Sequence, residues 1–499
     1  MNLTNKTFNG LKWSTTASIL SSLMQIGYTA LMARLLDPKA FGLVAMAGVF
    51  LRFATYFANM GMGQAIVQKI DLEEKDIRSA FTSSIILGVF FSALIWIASP
   101  LGALFFERPD VIPIIKGLSI AFLFTGLAIT SESLLRRNMN FKTLSIINVL
   151  AYIFGFGGVG ITSALNGLGV WSLVYATLSR SFFNALFCYI SVKHTLKLNF
   201  IWQDYKKLFS YGSRISLISF FEFIGQSLDT LIIGKVKGPN LLGIYNRALE
   251  VGQLPMTYIS TSLSKVLFPA FSSIQNNLKK LKNSFLASVS LTSYILIPIG
   301  FGMSMAAEEI VYTVLGRQWS ESIPLFQILA LTIPFKFMTS FSGILMDSTA
   351  RLRSKLIFQI IYILGLMVTF YLIRNLDLIY FTYVLFVFVF ARNIAYLIIV
   401  KNIVHFTNRE IIKMHIPGII TAVAVSIVIF AVKQMTDLLT IPDAVELIII
   451  ISFAAITWIL MIFVKPNNNI KNEIMSRIEK IEFFKNSVVY KGIVKVFSL

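Results

Sequence analysis

Long apolar stretches, broken by short polar segments, repeat along the whole chain. A bilayer core takes about 20 mainly apolar residues per helix. Stretches of that kind fall at 14–34, 41–64, 80–106, 113–134, 145–165, 168–190, 209–233, 241–271, 284–304, 322–346, 355–373, 378–400, 416–433 and 442–464. The pattern predicts an all-α polytopic membrane protein with fourteen transmembrane helices. Spans one, two, seven and eight carry many small and polar residues, among them Ser14–Ser22, Asn59–Gln64 and Ser260–Ser264. Such helices face a protein interior or a water-filled cavity, because a polar group facing lipid is costly. Lys6 and Lys12 precede the first span and no small-residue cleavage site follows, so it reads as retained. In the tail, 466–499, Ile470, Ile474, Ile478 and Ile481 recur at helical spacing among Lys and Glu. That tail is either an amphipathic cytoplasmic helix on the bilayer surface or a poorly ordered basic end.

Composition agrees with the pattern. Of 499 residues, 56% are apolar and 14% charged, against about 25% charged in an ordinary soluble domain. Mean hydropathy is +0.75, which excludes a cytosolic enzyme. The net charge of +20 suggests nucleic acid until the charges are placed. Loops on the side of the N-terminus hold 28 Lys and Arg, and those opposite hold nine. That bias is topogenic and puts both termini in the cytoplasm, so no nucleic-acid partner is implied. The loops are too short for a catalytic domain. A single cysteine, Cys188, and three histidines leave no framework for disulfides or metal. No phosphate loop, His-Glu-x-x-His or Gly-x-Ser-x-Gly occurs. The reading is of a protein without cofactor, metal or catalytic residues. Acid pairs such as Glu73-Glu74 and Glu308-Glu309 fall in loops and read as solvated.

The chain also resembles itself. At an offset of 201, Pro38-x-x-Phe41-Gly42 aligns with Pro239-x-x-Leu242-Gly243, each a tight outer turn between two helices. At an offset of 215, Glu132-Ser133-x-x-Arg136 aligns with Asp347-Ser348-x-x-Arg351, and at 212 Arg180 aligns with Arg392. These matches predict a duplication of six spans, with parallel halves because six is even. The expected divisions are an N-lobe at 1–200, a C-lobe at 201–405, two added helices within 406–465, and the tail.

Seven cations fall inside spans: Arg52, Arg180, Arg214, Arg247, Lys265, Lys336 and Arg392. Burying one costs about 2.5–3.5 kcal/mol on insertion scales, so each is a functional candidate. Arg214 and Lys265 lie near span ends and can snorkel. Arg52, Arg180, Lys336 and Arg392 lie about 15–20 Å deep at 1.5 Å per residue. Arg247 is shallower and three residues from Glu250, so a local salt bridge competes with a cavity role. These cations predict a cavity that binds an anion, and Arg offers a planar fork for phosphate oxygens. Embedded acids are Glu132, Glu222, Asp229, Glu250 and Asp347. Glu132 with Arg136, and Asp347 with Arg351, read as latches at a cytoplasmic gate. Glu222, Asp229 and Glu250 are candidates for ion coupling or charge balance. The run Gly155-Phe-Gly157-Gly158-Val-Gly160 reads as close helix packing or a hinge.

Further segments carry a family resemblance: Ala33-Arg-Leu-Leu-Asp-Pro-Lys-Ala-Phe-Gly42, Leu134-Leu-Arg-Arg-Asn-Met-Asn-Phe141 and Gly167-Leu-Gly-Val-Trp-Ser-Leu-Val174. Leu231-Ile-Ile-Gly-Lys-Val-Lys-Gly238, Leu242-Gly-Ile-Tyr-Asn-Arg-Ala248 and Phe268-Pro-Ala-Phe271 continue it in the second half. Over roughly residues 5–465 the chain resembles the Wzx-type polysaccharide flippases of the multidrug/oligosaccharidyl-lipid/polysaccharide exporter superfamily. It is most similar to the colanic-acid and teichuronic-acid exporter branch. The resemblance implies an alternating-access flippase in a bacterial cytoplasmic membrane. Its cargo would be an undecaprenyl-diphosphate-linked oligosaccharide for capsule, exopolysaccharide or O-antigen, and its partners membrane lipids and the polysaccharide polymerase machinery. A peptidoglycan-precursor flippase and a cation-coupled drug exporter of the same superfamily are the alternatives.

Overall fold

The computed structural model describes residues 3–58, 66–67, 69, 71–198, 202–439 and 441–463. Side chains at 3–12, 14–15, 56–58, 202–222, 254–266, 268–269 and 352 are not among those described. Among the described residues the regular structure is all helical. In order the helices are α1 Leu3–Leu35, α2 Pro38–Ala58, α3 Glu74–Phe106, α4 Val111–Ser119, α5 Ala121–Arg137 and α6 Phe141–Tyr152. A π-helical segment, Ile153–Gly160, joins α6 to α7 Ile161–Leu165, and α8 Val170–Val192 follows. Next come α9 Trp202–Ser273, α10 Leu278–Met305, α11 Ala307–Val314, α12 Ile323–Ser348, α13 Leu352–Leu372, α14 Leu378–Val404, α15 Asn408–Thr436 and α16 Asp443–Leu460. Of the expected spans, 113–134 takes in both α4 and α5, 145–165 takes in α6, the π-helical segment and α7, and the end of 41–64 lies outside the described residues. Eleven described helical segments are long and apolar enough to cross a membrane. The other three expected spans lie in α1 and in the two arms of α9, which breaks at Gly238 (φ 78°, ψ 180°).

Local chemistry sets the helix ends. Glu73 and Asp76 cap the start of α3 reciprocally, and Thr407 and Glu410 do the same for α15, each satisfying amides that have no partner in the first turn. Asn140 and Asn277 accept from the Thr143 and Lys280 amides at the starts of α6 and α10, at 3.3 and 3.0 Å. Glu73 and Glu74 lie on the surface as expected, but Glu309 does not. Its neighbour Glu308 is exposed, while Glu309 is buried against Lys433 of α15 at 2.6 Å. The one-residue step in α11 turns one acid outward and the other into the packing.

The chain divides into two compact packing units. The first holds the described residues up to Arg247 with 314–318 and 359–381, and the second holds 248–313, 319–358 and the described residues from 382 on.

In the first unit the two repeated Pro–Gly turns meet each other. A Cβ on Gly42 would overlap the Pro239 carbonyl, and a Cβ on Gly243 would overlap the Pro38 carbonyl. Only glycine allows two backbones to approach this closely. The turns at the other matched positions also repeat in detail. After α5 the Asn140 amide donates to Leu135 and Met139 takes φ 53°. After α12 the Arg351 amide donates to Met346 and Ala350 takes φ 56°. The structural offset at this turn is therefore 211, and the sequence offset of 215 was one helical turn out of register. At the ends of α8 and α14, Lys193 and His405 take φ 48° and 53°, an offset of 212, the same that relates Arg180 to Arg392.

In the second unit α10 packs on α12 and α15. Lys282 of α10 meets Glu410 of α15 at 2.7 Å. Tyr294 donates to the Trp458 carbonyl at 2.9 Å, and the Trp458 indole donates back to the Tyr294 carbonyl at 3.1 Å. These contacts hold α15 and α16, the expected additional helices, against α10.

Candidate functional site

Arg180 sits ten residues into α8, about 15 Å along the helix. Its guanidinium lies 5.9 Å from the Tyr152 ring centroid and 5.6 Å from that of Phe156, within cation–π range. Tyr28 of α1 meets both rings edge-on, at 6.3 and 4.8 Å. Tyr152 and Phe156 are four apart, so they share one face of α6 as it runs into the π-helical segment. A Cβ on Gly155 would stand 2.5 Å from the Arg180 Cα. That glycine lets the segment lie directly on α8, so the Gly-rich run serves close packing. π-Helical turns of this kind often mark functional positions. Among the described residues no carboxylate pairs with Arg180.

Arg247 lies over the Phe41 ring at 4.4 Å, one turn beyond the Gly243 contact. Arg52 is exposed on α2, and its guanidinium runs beside Gly48. Asp229 is buried and accepts from the Tyr245 hydroxyl at 2.6 Å, the Thr230 amide at 2.7 Å and the Thr230 hydroxyl at 3.4 Å. Beside it, the Gln359 side chain occupies the space that a Cβ on Gly225 would need. Thus Asp229 is held by neutral donors. Arg214, Glu222, Lys265 and the tail at 466–499 fall outside the described residues or side chains.

The second unit carries Glu250, Lys336 and Arg392, all half-buried. Arg392 of α14 lies over Tyr396 at 5.4 Å. Next to it Asn393 accepts from Thr339 of α12 at 3.5 Å. Lys336 and Arg392 therefore sit on two helices that touch.

The latches differ between halves. Arg136 stands 3.3 Å from Glu132, whose other oxygen accepts from Asn184 of α8 at 2.7 Å. Asp347 pairs with Lys355 of α13, at 3.0 Å, and not with Arg351. Arg351 is exposed at the turn. The turn after α12 reverses the chain and brings Lys355 back over Asp347, a contact that helical spacing along one helix does not reveal. Sequence reasoning also missed Arg137. It donates to the carbonyls of Ile66, at 2.8 Å, and of Lys69, and so ties the segment before α3 to the end of α5. Its place in the Leu134–Phe141 motif was the available signal.

Membrane-length helices with basic side chains set on rings half-way along them are the architecture of a transporter. The chain belongs to the polysaccharide biosynthesis protein family, whose pattern matches residues 31–324. It is 24% identical over 352 residues to the lipopolysaccharide biosynthesis protein WzxC of Escherichia coli (strain K12), covering 70% of this chain and 72% of that one. It is 23% identical to the teichuronic acid biosynthesis protein TuaB of Bacillus subtilis (strain 168), covering 66% and 68%. Among solved structures, the lipid II flippase MurJ in an inward closed conformation matches with a TM-score of 0.67 at 15% identity, over 90% of this chain and 97% of that one. The inward-facing conformation of a multidrug resistance MATE family transporter of the MOP superfamily matches with a TM-score of 0.59 at 17% identity, over 76% of this chain and 92% of that one. At these identities the structural likeness is one of fold.

Proposed function

We propose that the protein is a flippase that moves an undecaprenyl-diphosphate-linked oligosaccharide across the bacterial cytoplasmic membrane by alternating access. It would serve capsule, exopolysaccharide or O-antigen synthesis. The carrying observation is a polysaccharide biosynthesis family chain that holds a guanidinium, Arg180, half-way along a membrane-length helix, with no carboxylate paired to it among the described residues. A diphosphate needs such groups, because a lipid-embedded path offers no other counter-charge. In this reading Arg52, Arg180, Lys336, Arg392 and Arg247 are the cations that bind the cargo, and both termini are cytoplasmic. The prenyl chain stays in the bilayer while the head group crosses. Asp229, whose donors among the described residues are the neutral Thr230 and Tyr245, supports an ion-coupling role, with Glu222 and Glu250 as further candidates. Glu132 with Arg136, and Asp347 with Lys355, act as cytoplasmic latches. No chemical step is required of the protein.

The test is a lipid extract from a strain lacking the gene. Mass spectrometry of polyprenyl-diphosphate oligosaccharides should find a complete repeat unit accumulating. Wild type should clear it, and Arg52→Ala or Arg392→Ala should not. Absence of accumulation, with altered drug sensitivity instead, would overturn the reading.

A further inference from the structure

Two of the segments that carry the family resemblance, Ala33–Gly42 and Gly167–Val174, meet in the first packing unit. There α7 packs on α1 and α8 on α2, so the turn between α1 and α2 stands beside the turn between α7 and α8. Between the two turns lies a half-open cleft of about 410 Å³, within the size range of small-ligand sites. Gly167 and Gly169 bound one side of it, with φ of 75° and 53°. Glycine takes such angles without strain, and a Cβ on either would meet nothing within 4 Å. That wall is bare backbone. The rest of the lining is apolar, Leu36, Leu43 and Val170 among it, except for one acid and one base, Asp37 and Lys39. Both are exposed. Lys39 Nζ stands 3.2 Å from Asp110, while among the described residues the Asp37 carboxylate makes no ion pair.

The cleft sits where α1 and α7 end and α2 and α8 begin, which is the level of the lipid head groups at one face of the membrane. From it an apolar path runs toward the middle of the bilayer. Leu35, Leu31, Gly27 and Leu23 follow one another at four-residue spacing along α1, and all four are exposed. At 100° per residue the polar Ser18, Ser22, Gln25 and Thr29 fall on the opposite side of the helix, so the apolar stripe is the one that faces lipid. It covers about 18 Å at 1.5 Å per residue, close to the ~15 Å that one leaflet contributes to the bilayer core. Gly27 leaves a notch in it, since nothing lies within 4 Å of its Cβ position.

Charge matching selects the occupant. An acid and a base on one rim match a head group that carries one ammonium and one phosphate. An anionic head group would meet the carboxylates of Asp37 and Asp110 as well as Lys39. A choline head group donates no hydrogen bond from its quaternary nitrogen and is held by aromatic rings, and none of the described lining residues is aromatic. A primary ammonium, with its N–H donors, suits a bare carboxylate. We infer that the cleft binds the head group of phosphatidylethanolamine, with the ammonium on Asp37, the phosphate on Lys39 and one acyl chain along Leu35, Leu31 and Leu23. The inference needs only that α1 spans a bilayer, and it stands apart from the cargo and its cations. A lipid seated there bridges the two turns and stabilises their contact.

Lipid titration tests it. Full-length protein, purified in detergent and stripped of lipid, is titrated in native mass spectrometry, reading the first bound lipid. The probes are phosphatidylethanolamine, phosphatidylcholine and phosphatidylglycerol with the same acyl chains, and glycerophosphoethanolamine, the same head group without chains. Wild type should bind phosphatidylethanolamine about fivefold more tightly than phosphatidylcholine, the effect of one exposed charge pair. Asp37→Asn should abolish that preference and leave phosphatidylcholine affinity within about twofold. Asparagine still serves as a helix cap ahead of Pro38, so folding is spared; Asp37→Ser carries the test if Asp37→Asn does not fold. Lys39→Gln should weaken both lipids alike, because both carry the phosphate. The chainless head group should bind at least about tenfold more weakly than the lipid, because it buries no acyl chain. Equal wild-type affinity for phosphatidylethanolamine and phosphatidylcholine overturns the inference, as does a preference that survives in Asp37→Asn. Tighter binding of phosphatidylglycerol than of phosphatidylethanolamine overturns it too, since the site would then read phosphate alone. Equal binding of the lipid and the chainless head group shows a soluble ligand and overturns the assignment to the membrane.

Discussion

Lys433→Met is the sharpest perturbation of the fold. Lys433 Nζ stands 2.6 Å from Glu309 Oε1 and donates to the Met305 carbonyl at 3.4 Å. The Glu309 side chain is only 5% exposed, and its second oxygen has no hydrogen-bond partner. Around them lies an apolar cluster of Ala306, Val425, Ile429, Val432 and Ile450, with Met305 packed against it. Removing the ammonium leaves a carboxylate there with no counter-charge and no donor among the described residues. Breaking a buried pair from one side costs about 3–5 kcal/mol, whereas replacing both partners by apolar groups is close to neutral. Lys433→Met should therefore lower the melting temperature by roughly 6–20 °C, using the scaling for a unit of some 200 residues. Lys433→Met combined with Glu309→Leu should recover most of that loss. Thermal unfolding of the purified full-length protein in detergent, compared at one scan rate because such unfolding is irreversible, reads both values. A single variant within about 1 °C of wild type, or a double variant as unstable as the single, would refute the argument.

Two further outcomes follow from contacts within single units. Gly42→Ala puts a methyl on the Pro239 carbonyl and should destabilise by about 1–3 kcal/mol. Gly27→Ala in α1 meets nothing within 4 Å and serves as control; equal melting of the two variants would show that the turns do not touch. In a double-mutant cycle, Asp347→Asn should couple to Lys355→Met by under about 1 kcal/mol, the pair being partly exposed, and not at all to Arg351→Met. Coupling to Arg351 instead would restore the latch inferred from spacing.

The embedded charges show how far a sequence can be read. Arg180 was found by depth alone, because an ionisable residue mid-span stands out against apolar neighbours. Its ring partners were not, since Tyr152, Phe156 and Tyr28 look like ordinary apolar positions of two distant spans. The Glu132 contact with Arg136 was legible because both lie on one helix, at i,i+4. Asp347 was misassigned because its base comes back from the next helix. Glu309 looked like half of a solvated acid pair, and only the packing of α15 against α11 turned it into a buried one.

What the chain alone determined is what a bilayer demands of any chain: helices of span length, loops sorted by Lys and Arg, and repeated Pro–Gly turns at their ends. Those follow from backbone hydrogen bonds and transfer energies, which are local and sum along the sequence. The tertiary structure decided which turns meet, which acid reaches which base, and which rings lie under which cation. These depend on the distance and rotation between helices far apart in sequence, and hydropathy carries no record of either.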